Sequence, residues 1–306
     1  MAKITLGLPY KGSKAAIAED IVKKLPPGGR ILDACCGGGA FLMAAAMSLK
    51  WDSVVGNDLN KATIALLDAV LIHKGQIDYE HPAPCSRVDF FNSLQRIENG
   101  DFDIQDCVNK YCASFGNDGK TYLYGEQIED YKLIAEKMLT APTLSERRSN
   151  YRKFFEIMKK EDDDGRLQKL EFVQRLQSLE RLERLERLER LDIFDIDYKG
   201  FDVVYFDPPY KGTNKYDFEF DYDKFYDLFK SLKTDLKINA FLSEYDAPFT
   251  CVAEFEKTQL MAASVCSSKS TTMEKLYFNG TADEYRKLMG RFYDDGAQKD
   301  CQQSLF

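Results

Sequence analysis

Apolar residues recur along the first ninety positions with two alternating periods. In SKAAIAEDIVKKL, Ala16, Ile17, Ile21, Val22 and Leu25 fall at helical spacing, and the PPGG that follows ends the helix. RILDACCGGGAFLMAAAMSL reads as a short buried strand, a glycine turn and an apolar helix. SVVGND is a second strand, and NKATIALLDAVLIHKG is a helix closed by Gly75. This strand–helix order predicts an α/β fold on a doubly wound, parallel, Rossmann-like sheet.

The same alternation resumes near residue 192 with LDIFDIDY and then FDVVYF. The helix DYDKFYDLFKSLK follows, with Phe225, Leu228, Phe229 and Leu232 on one face and Asp223 as its expected N-cap. INAFLSEY and TMEKLYFNG are later strands. Residues 92–191 do not fit the alternation. They read as an insertion between two parts of one sheet domain, 1–91 and 192–284, with 285–306 left as a C-terminal helix and tail. Within the insertion, SLERLERLERLERL repeats every three residues. On a helix of 3.6 residues per turn these leucines spiral instead of forming a stripe. Glu180 to Arg184, Glu183 to Arg187 and Glu186 to Arg190 form favourable i, i+4 pairs, which favours helix over strand. The repeat is expected to be a spacer.

A length of 306 residues, 44% hydrophobic and 13% aromatic, suits one large domain with a substantial insertion and a filled core. No apolar run approaches the roughly 20 residues needed to span a bilayer, and MAKITLGLPYKG is not a secretory signal. A soluble, cytoplasmic protein without membrane partners is expected. The eight cysteines, with Cys35 and Cys36 adjacent, do not form a disulfide framework. His73, His81 and Cys85 lack an evident fourth ligand, so no metal is assigned. A net charge of −8 argues against a surface coated for non-specific nucleic-acid binding, though it leaves room for a local basic groove.

One stretch departs from what a core strand needs. FDVVYF runs directly into Asp207, Pro208, Pro209 and Tyr210. In an open parallel sheet, ligands sit at the carboxyl ends of the strands. The two prolines make a rigid turn whose carbonyls can accept hydrogen bonds. Asp207 adds a carboxylate acceptor and Tyr210 a flat ring for stacking. Acceptors beside an aromatic platform suit an exocyclic amino group on a nucleobase.

DPPY after a hydrophobic strand resembles the signature of amino-methyltransferases acting on adenine. The chain as a whole is similar to the deoxyadenosine methylase (Dam) family of N6-adenine DNA methyltransferases. PYKGSK, LDACCGGGAF, GNDLN, SEY and EKLYF match its other motifs in the family's order. The resemblance covers most of residues 5–90 and 190–280. It implies an S-adenosylmethionine-dependent methyltransferase sheet with an inserted, mainly helical target-recognition domain. It also implies S-adenosylmethionine as cofactor, double-stranded DNA as partner, and transfer to a flipped-out adenine. Asp207, Pro208, Pro209 and Tyr210 would be catalytic. Tyr10, Lys14, Asp33, Gly37, Gly39, Asp58, Asp197 and Asp207 would line the cofactor, with Gly38 completing the glycine turn. Glycines let backbone approach a ligand, and Asp58, at a strand end, would take the ribose hydroxyls.

ERRSNYRKFFEIMKK supplies Arg147, Arg148, Arg152 and Lys153 beside Tyr151 and Phe154, a mix suited to phosphate contact; the alternative is an amphipathic helix with a solvated charged face. SFGNDGKTYLYG departs from the family's GATC-reading segment, so no target sequence is predicted. At the C-terminus Gln302, Ser304, Leu305 and Phe306 resemble a peptide that docks on the bacterial sliding clamp; the alternative is that Leu305 and Phe306 tuck against the protein itself. Other readings are methylation of N4 of cytosine or of RNA adenine, and an idle DNA-binding regulator that keeps the fold.

Overall fold

The computed structural model describes residues 6–78, 84–126, 128–157, 165–177, 182, 184–210, 220–261 and 268–294. It divides into two compact units. The first is Met1–Leu6, Lys14–Leu59 and Arg181–Phe306, and the second is Gly7–Ser13 and Asn60–Glu180.

The first unit is built on a seven-stranded sheet. Its strands are β1 (Gly28–Asp33), β2 (Trp51–Asn57), β3 (Leu185–Glu189), β4 (Val203–Phe206), β5 (Asn239–Glu244), β6 (Thr250–Met261) and β7 (Ser268–Phe278). They lie in the order β3-β2-β1-β4-β5-β7-β6. The first five are parallel, whereas β7 enters antiparallel between β5 and β6. The switch point, where connections leave in opposite directions along the sheet, falls between β1 and β4.

The alternation of side chains along β4 assigns its two faces. Val204 and Phe206 look into one layer with Phe225, Phe229 and Leu232 of α9 (Tyr222–Thr234), all buried. Tyr205 looks the other way and stacks on Phe41 of α2 (Ala40–Met47), ring centroids 3.9 Å apart, and α2 packs on α1 (Ala18–Lys24). Helices on both faces make this the expected doubly wound α/β, Rossmann-like fold. Among the described residues no helix is long and apolar enough to cross a membrane. The N-cap of α9 is Asp221, whose carboxylate accepts from the Lys224 amide at 3.0 Å, and not Asp223, which sits in the first turn.

The strand at the far edge corrects two expectations at once. It comes from the L-E-R repeat, read above as helix, and residues 193–195 of LDIFDIDY form a turn. The pairing explains how a three-residue repeat makes a strand. Val54 opposes Leu185, and Val55 opposes Arg187, so Glu186 is an extra residue in the ladder. That bulge resets the two-residue alternation and puts Leu185 and Leu188 on one face. Leu188 then lies over Gly56, where an added Cβ would come within 2.8 Å of Leu188 and 2.9 Å of Leu42. The bulged Glu186 is paired with Arg30 at 3.1 Å and also touches Ser53 and Arg187. Buried Asn57 closes the end of the strand, accepting from the Leu191 amide at 2.8 Å and donating to its carbonyl at 3.0 Å.

These contacts yield an asymmetric prediction. Leu188→Asp should destabilise the protein by about 2 kcal/mol. Deleting one L-E-R unit should cost less than about 1 kcal/mol, because neighbouring copies refill the strand and only the connection from Gln177 shortens. Urea denaturation of both variants checks the contrast.

The second unit is helical: α3 (Lys61–Leu71), α4 (Arg87–Asn99), α5 (Ile104–Cys112), α6 (Glu129–Thr140), α7 (Leu144–Ile157) and α8 (Gly165–Gln177), with one bridge between Ser114 and Tyr122. Its limits differ from the expected insertion of 92–191. Helix α3 packs with α5 and α8, so the unit takes in the chain from Asn60 as well as Gly7–Ser13, and the repeat strand returns the chain to the sheet before 192. α3 itself ends at Leu71, short of Gly75. α4 and α5 each start with a full capping box, Ser86 with Asp89 and Asp103 with Asp106. The helix α10 (Ala282–Asp294) returns to the first unit; Gln302, Ser304, Leu305 and Phe306, and His81, lie outside the described residues.

Candidate functional site

Three adjacent strands deliver carboxylates to one edge of the sheet. Asp33 ends β1, Asp58 follows β2, and Asp207 follows β4. Between β1 and α2 the backbone turns at Gly37 (φ +46°) and Gly39 (φ +78°), left-handed conformations that favour glycine. The turn is tied to the next strand: the Cys36 amide donates to the Asn57 carbonyl at 2.8 Å, and the Gly37 amide to Asp58 Oδ2 at 2.8 Å. Asp58 is half-buried, so part of its carboxylate faces outward beside the glycines.

Asp33 is 1% exposed, and neither of its oxygens makes a well-formed hydrogen bond among the described residues. Burial, then the charges of Asp207 and Asp58, push its carboxyl well above the usual range, against the Cys35 amide and the Lys14 ammonium. The folded state therefore keeps a proton that the unfolded chain releases above about pH 4, so stability falls as pH rises through that window. Asp33→Asn should raise the melting temperature of the free protein, by a margin that widens from pH 4 toward neutrality. A margin that narrows over that range in thermal melts would contradict this reading.

Lys14 anchors the third carboxylate. Its ammonium is buried, 2.7 Å from Asp207 Oδ2 and 3.3 Å from Glu274 Oε1, and 4.8 Å from the centre of the Tyr210 ring. Burial alone would lower its pKa, but Asp207 and Glu274 together raise it, so the group stays cationic. The DPPY turn is fixed from outside as well. The Tyr222 hydroxyl of α9 donates to the Pro209 carbonyl, and the Tyr245 ring meets Tyr210 edge-on at 4.7 Å. Tyr245 also lines a cavity of about 680 Å³ at the end of β5, with Tyr226, Glu244 and Asp246. Burial, then Asp207 and Glu274, raise the Tyr210 phenol out of the range where it would ionise. The adjacent thiols are no better placed as nucleophiles, since burial and nearby acids hold Cys35 and Cys36 protonated.

The structure thus groups Lys14, Asp33, Gly37, Gly39, Asp58 and Asp207–Tyr210 in the first unit. Asp197, also in that unit, is exposed, and its carboxylate accepts from the Lys199 amide at 3.1 Å, closing its own turn. Tyr10 belongs to the second unit, 6.0 Å from the Tyr111 ring. Arg147, Arg148 and Lys153 are exposed on α7, which also carries Arg152. Arg147 donates to the Ala141 carbonyl at 2.7 Å, and with Arg148, Tyr151, Met138 and Leu139 it lines a shallow cavity of about 300 Å³.

Sequence reasoning missed Glu274, because EKLYF reads simply as a core strand. Its signal was an acid on the inward parity of β7, shared with buried Leu276 and Phe278.

No curated protein matches the chain. Among solved structures, the rRNA methyltransferase AviRa from Streptomyces viridochromogenes is similar in two crystal structures. Each has 16% identity and a TM-score of 0.38, covering 91% of this chain and 90% of that one. The D12 class N6 adenine-specific DNA methyltransferase family matches residues 10–277, nearly the whole described chain and every strand of the sheet. With acids at three strand ends and DPPY at the edge of the sheet, the chain belongs to the D12 class of N6 adenine-specific DNA methyltransferases.

Proposed function

We propose that the enzyme methylates N6 of an adenine swung out of double-stranded DNA, with S-adenosylmethionine as donor. The observation that carries this is Asp207, presented directly after β4 at the carboxyl edge of the sheet and paired with buried Lys14. An adenine amino group is a weak nucleophile because its lone pair is delocalised into the ring. Asp207 and the Pro208 carbonyl accept its two hydrogens and so favour the pyramidal form with a localised pair. Tyr210 stacks on the base and holds it in line, so positioning and charge supply the catalysis and no covalent enzyme intermediate is needed.

The residues present fit the donor. The Asp33 carboxyl, buried without a well-formed hydrogen bond, suits the ammonium of the methionine portion, whose positive charge would favour release of its proton. Asp58 suits the ribose hydroxyls, and the left-handed turn at Gly37 and Gly39 admits close backbone approach. Tyr10 and Asp197 complete the proposed contacts, Asp197 toward the adenine of the cofactor. S-adenosylmethionine supplies the electrophilic methyl group. Arg147, Arg148, Arg152 and Lys153 of α7 contact DNA phosphates, a reading supported by the exposed cations around Tyr151.

Methylation-aware sequencing of DNA from cells expressing the protein tests the proposal. N6-methyladenine at one recurring sequence is expected, lost in an Asp207→Ala control. Unmodified DNA would overturn it, and methyladenine confined to RNA would replace the substrate.

A further inference from the structure

Glu274 is the odd member of the cluster. It lies inside β7, 1% exposed, on the same face of the strand as buried Leu276 and Phe278. Burying a carboxylate carries a large desolvation cost, and a well-packed apolar side chain would serve stability better. The Lys14 ammonium it faces already has a closer partner in Asp207, at 2.7 Å against 3.3 Å. One buried ammonium therefore stands between two carboxylates, one offered by the DPPY turn and one by the strand behind it. The same ammonium lies over the ring of Tyr210, 4.8 Å from its centre.

We infer that Glu274 is a positioning residue for methyl transfer, holding Lys14, and through it the Tyr210 ring, so that Asp207 stays a strong, correctly aimed acceptor. The physical reason is the division of one positive charge. Paired with Lys14 alone, Asp207 would be largely neutralised and a poor acceptor for an amino hydrogen. With Glu274 drawing on the same ammonium, the three groups keep a net negative charge, and Asp207 can bind an amino group that becomes positive as the methyl arrives. Geometry acts in the same direction. Two carboxylates fix the lysine stem, and the lysine in turn lies over the ring of Tyr210. The inference rests on the adenine-methylation reading, because it gives Asp207 a role to support.

The test begins on the full-length protein without DNA or donor. Lysine Cε is labelled with ¹³C, the Lys14 signal is assigned by its loss in Lys14→Met, and its titration is followed by NMR. The groups facing Lys14 are Asp207 and Tyr210 after β4, Glu274 from β7 and the Asp33 carboxyl at the end of β1. Wild-type Lys14 should titrate above an ordinary lysine. In Glu274→Gln the burial that lowers it is opposed by Asp207 alone, so the midpoint should fall toward or below that of an ordinary lysine. An unmoved midpoint overturns the inference.

Kinetics supply the second readout. Glu274→Gln should lower kcat about 10- to 100-fold and leave the KM for DNA and donor within about threefold, whereas Glu274→Asp should recover much of the loss. Should Glu274→Gln fail to fold, the double variant with Lys14→Met removes both buried charges. Its turnover should be no lower than that of Lys14→Met alone, and a further drop of the full factor would sink the inference. Failure here leaves adenine methylation standing. Wild-type protein that methylates no adenine would instead remove the functional reading, whatever the titration gives.

Discussion

Asp207→Ala should abolish methyl transfer while the fold and donor binding survive. The expected fall in kcat is at least about 10³-fold, equivalent to about 4 kcal/mol, the scale of losing a principal acceptor in the transition state. The backbone of the turn does not depend on this side chain. The two prolines set its shape, and the Tyr222 hydroxyl holds the Pro209 carbonyl. Lys14 is left with Glu274, so the buried ammonium keeps a partner and the unit has no reason to unfold. Donor affinity, measured by calorimetry, should stay within a few-fold of wild type. Turnover within tenfold of wild type would remove Asp207 from the chemistry, and joint loss of folding and activity would reduce it to a structural ion pair.

The largest expected loss of stability comes from Phe229→Ala, about 3–5 kcal/mol by urea denaturation. Phe229 is fully buried, in ring contact with Phe206, Phe225 and Phe249 at centroid distances of 6.0, 6.0 and 4.6 Å. The cavity could shrink only if α9 moved toward the sheet. Asn279 opposes that, donating to the Phe229 carbonyl at 3.2 Å and to the Ile238 carbonyl at 3.1 Å. Because Tyr222 lies on the same helix, a shift of α9 would also disturb the DPPY turn. A loss below about 1 kcal/mol would show that the layer closes over the hole without strain.

What was legible in the chain follows from how local each signal is. Asp33, Asp58 and Asp207 each end an apolar run, so strand and acid were readable within a few residues. The repeat strand was not. Its helical charge pairs are local, while the bulge at Glu186 that makes it a strand exists only against β2. Glu274 was hidden for a related reason, since its meaning depends on Lys14, far away in sequence and adjacent in space. β6 was missed because CVAEFEKTQLM alternates weakly and is bulged near Cys251, drawing its order from pairing with β7. Helix α3 was placed correctly as an element, but its packing against α5 and α8 is a long-range fact that periodicity does not carry.

The repeat at the edge of the sheet has a consequence for how the gene can change. Slippage during replication adds or removes whole units of a tandem repeat, and such events inside a core strand normally destroy a protein. Here any copy of the unit can supply the leucine over Gly56 and the bulged glutamate beside Arg30. Copy number is therefore free to drift while the content of each unit is held. Closely related genes should differ in how many units they carry more often than in what a unit spells.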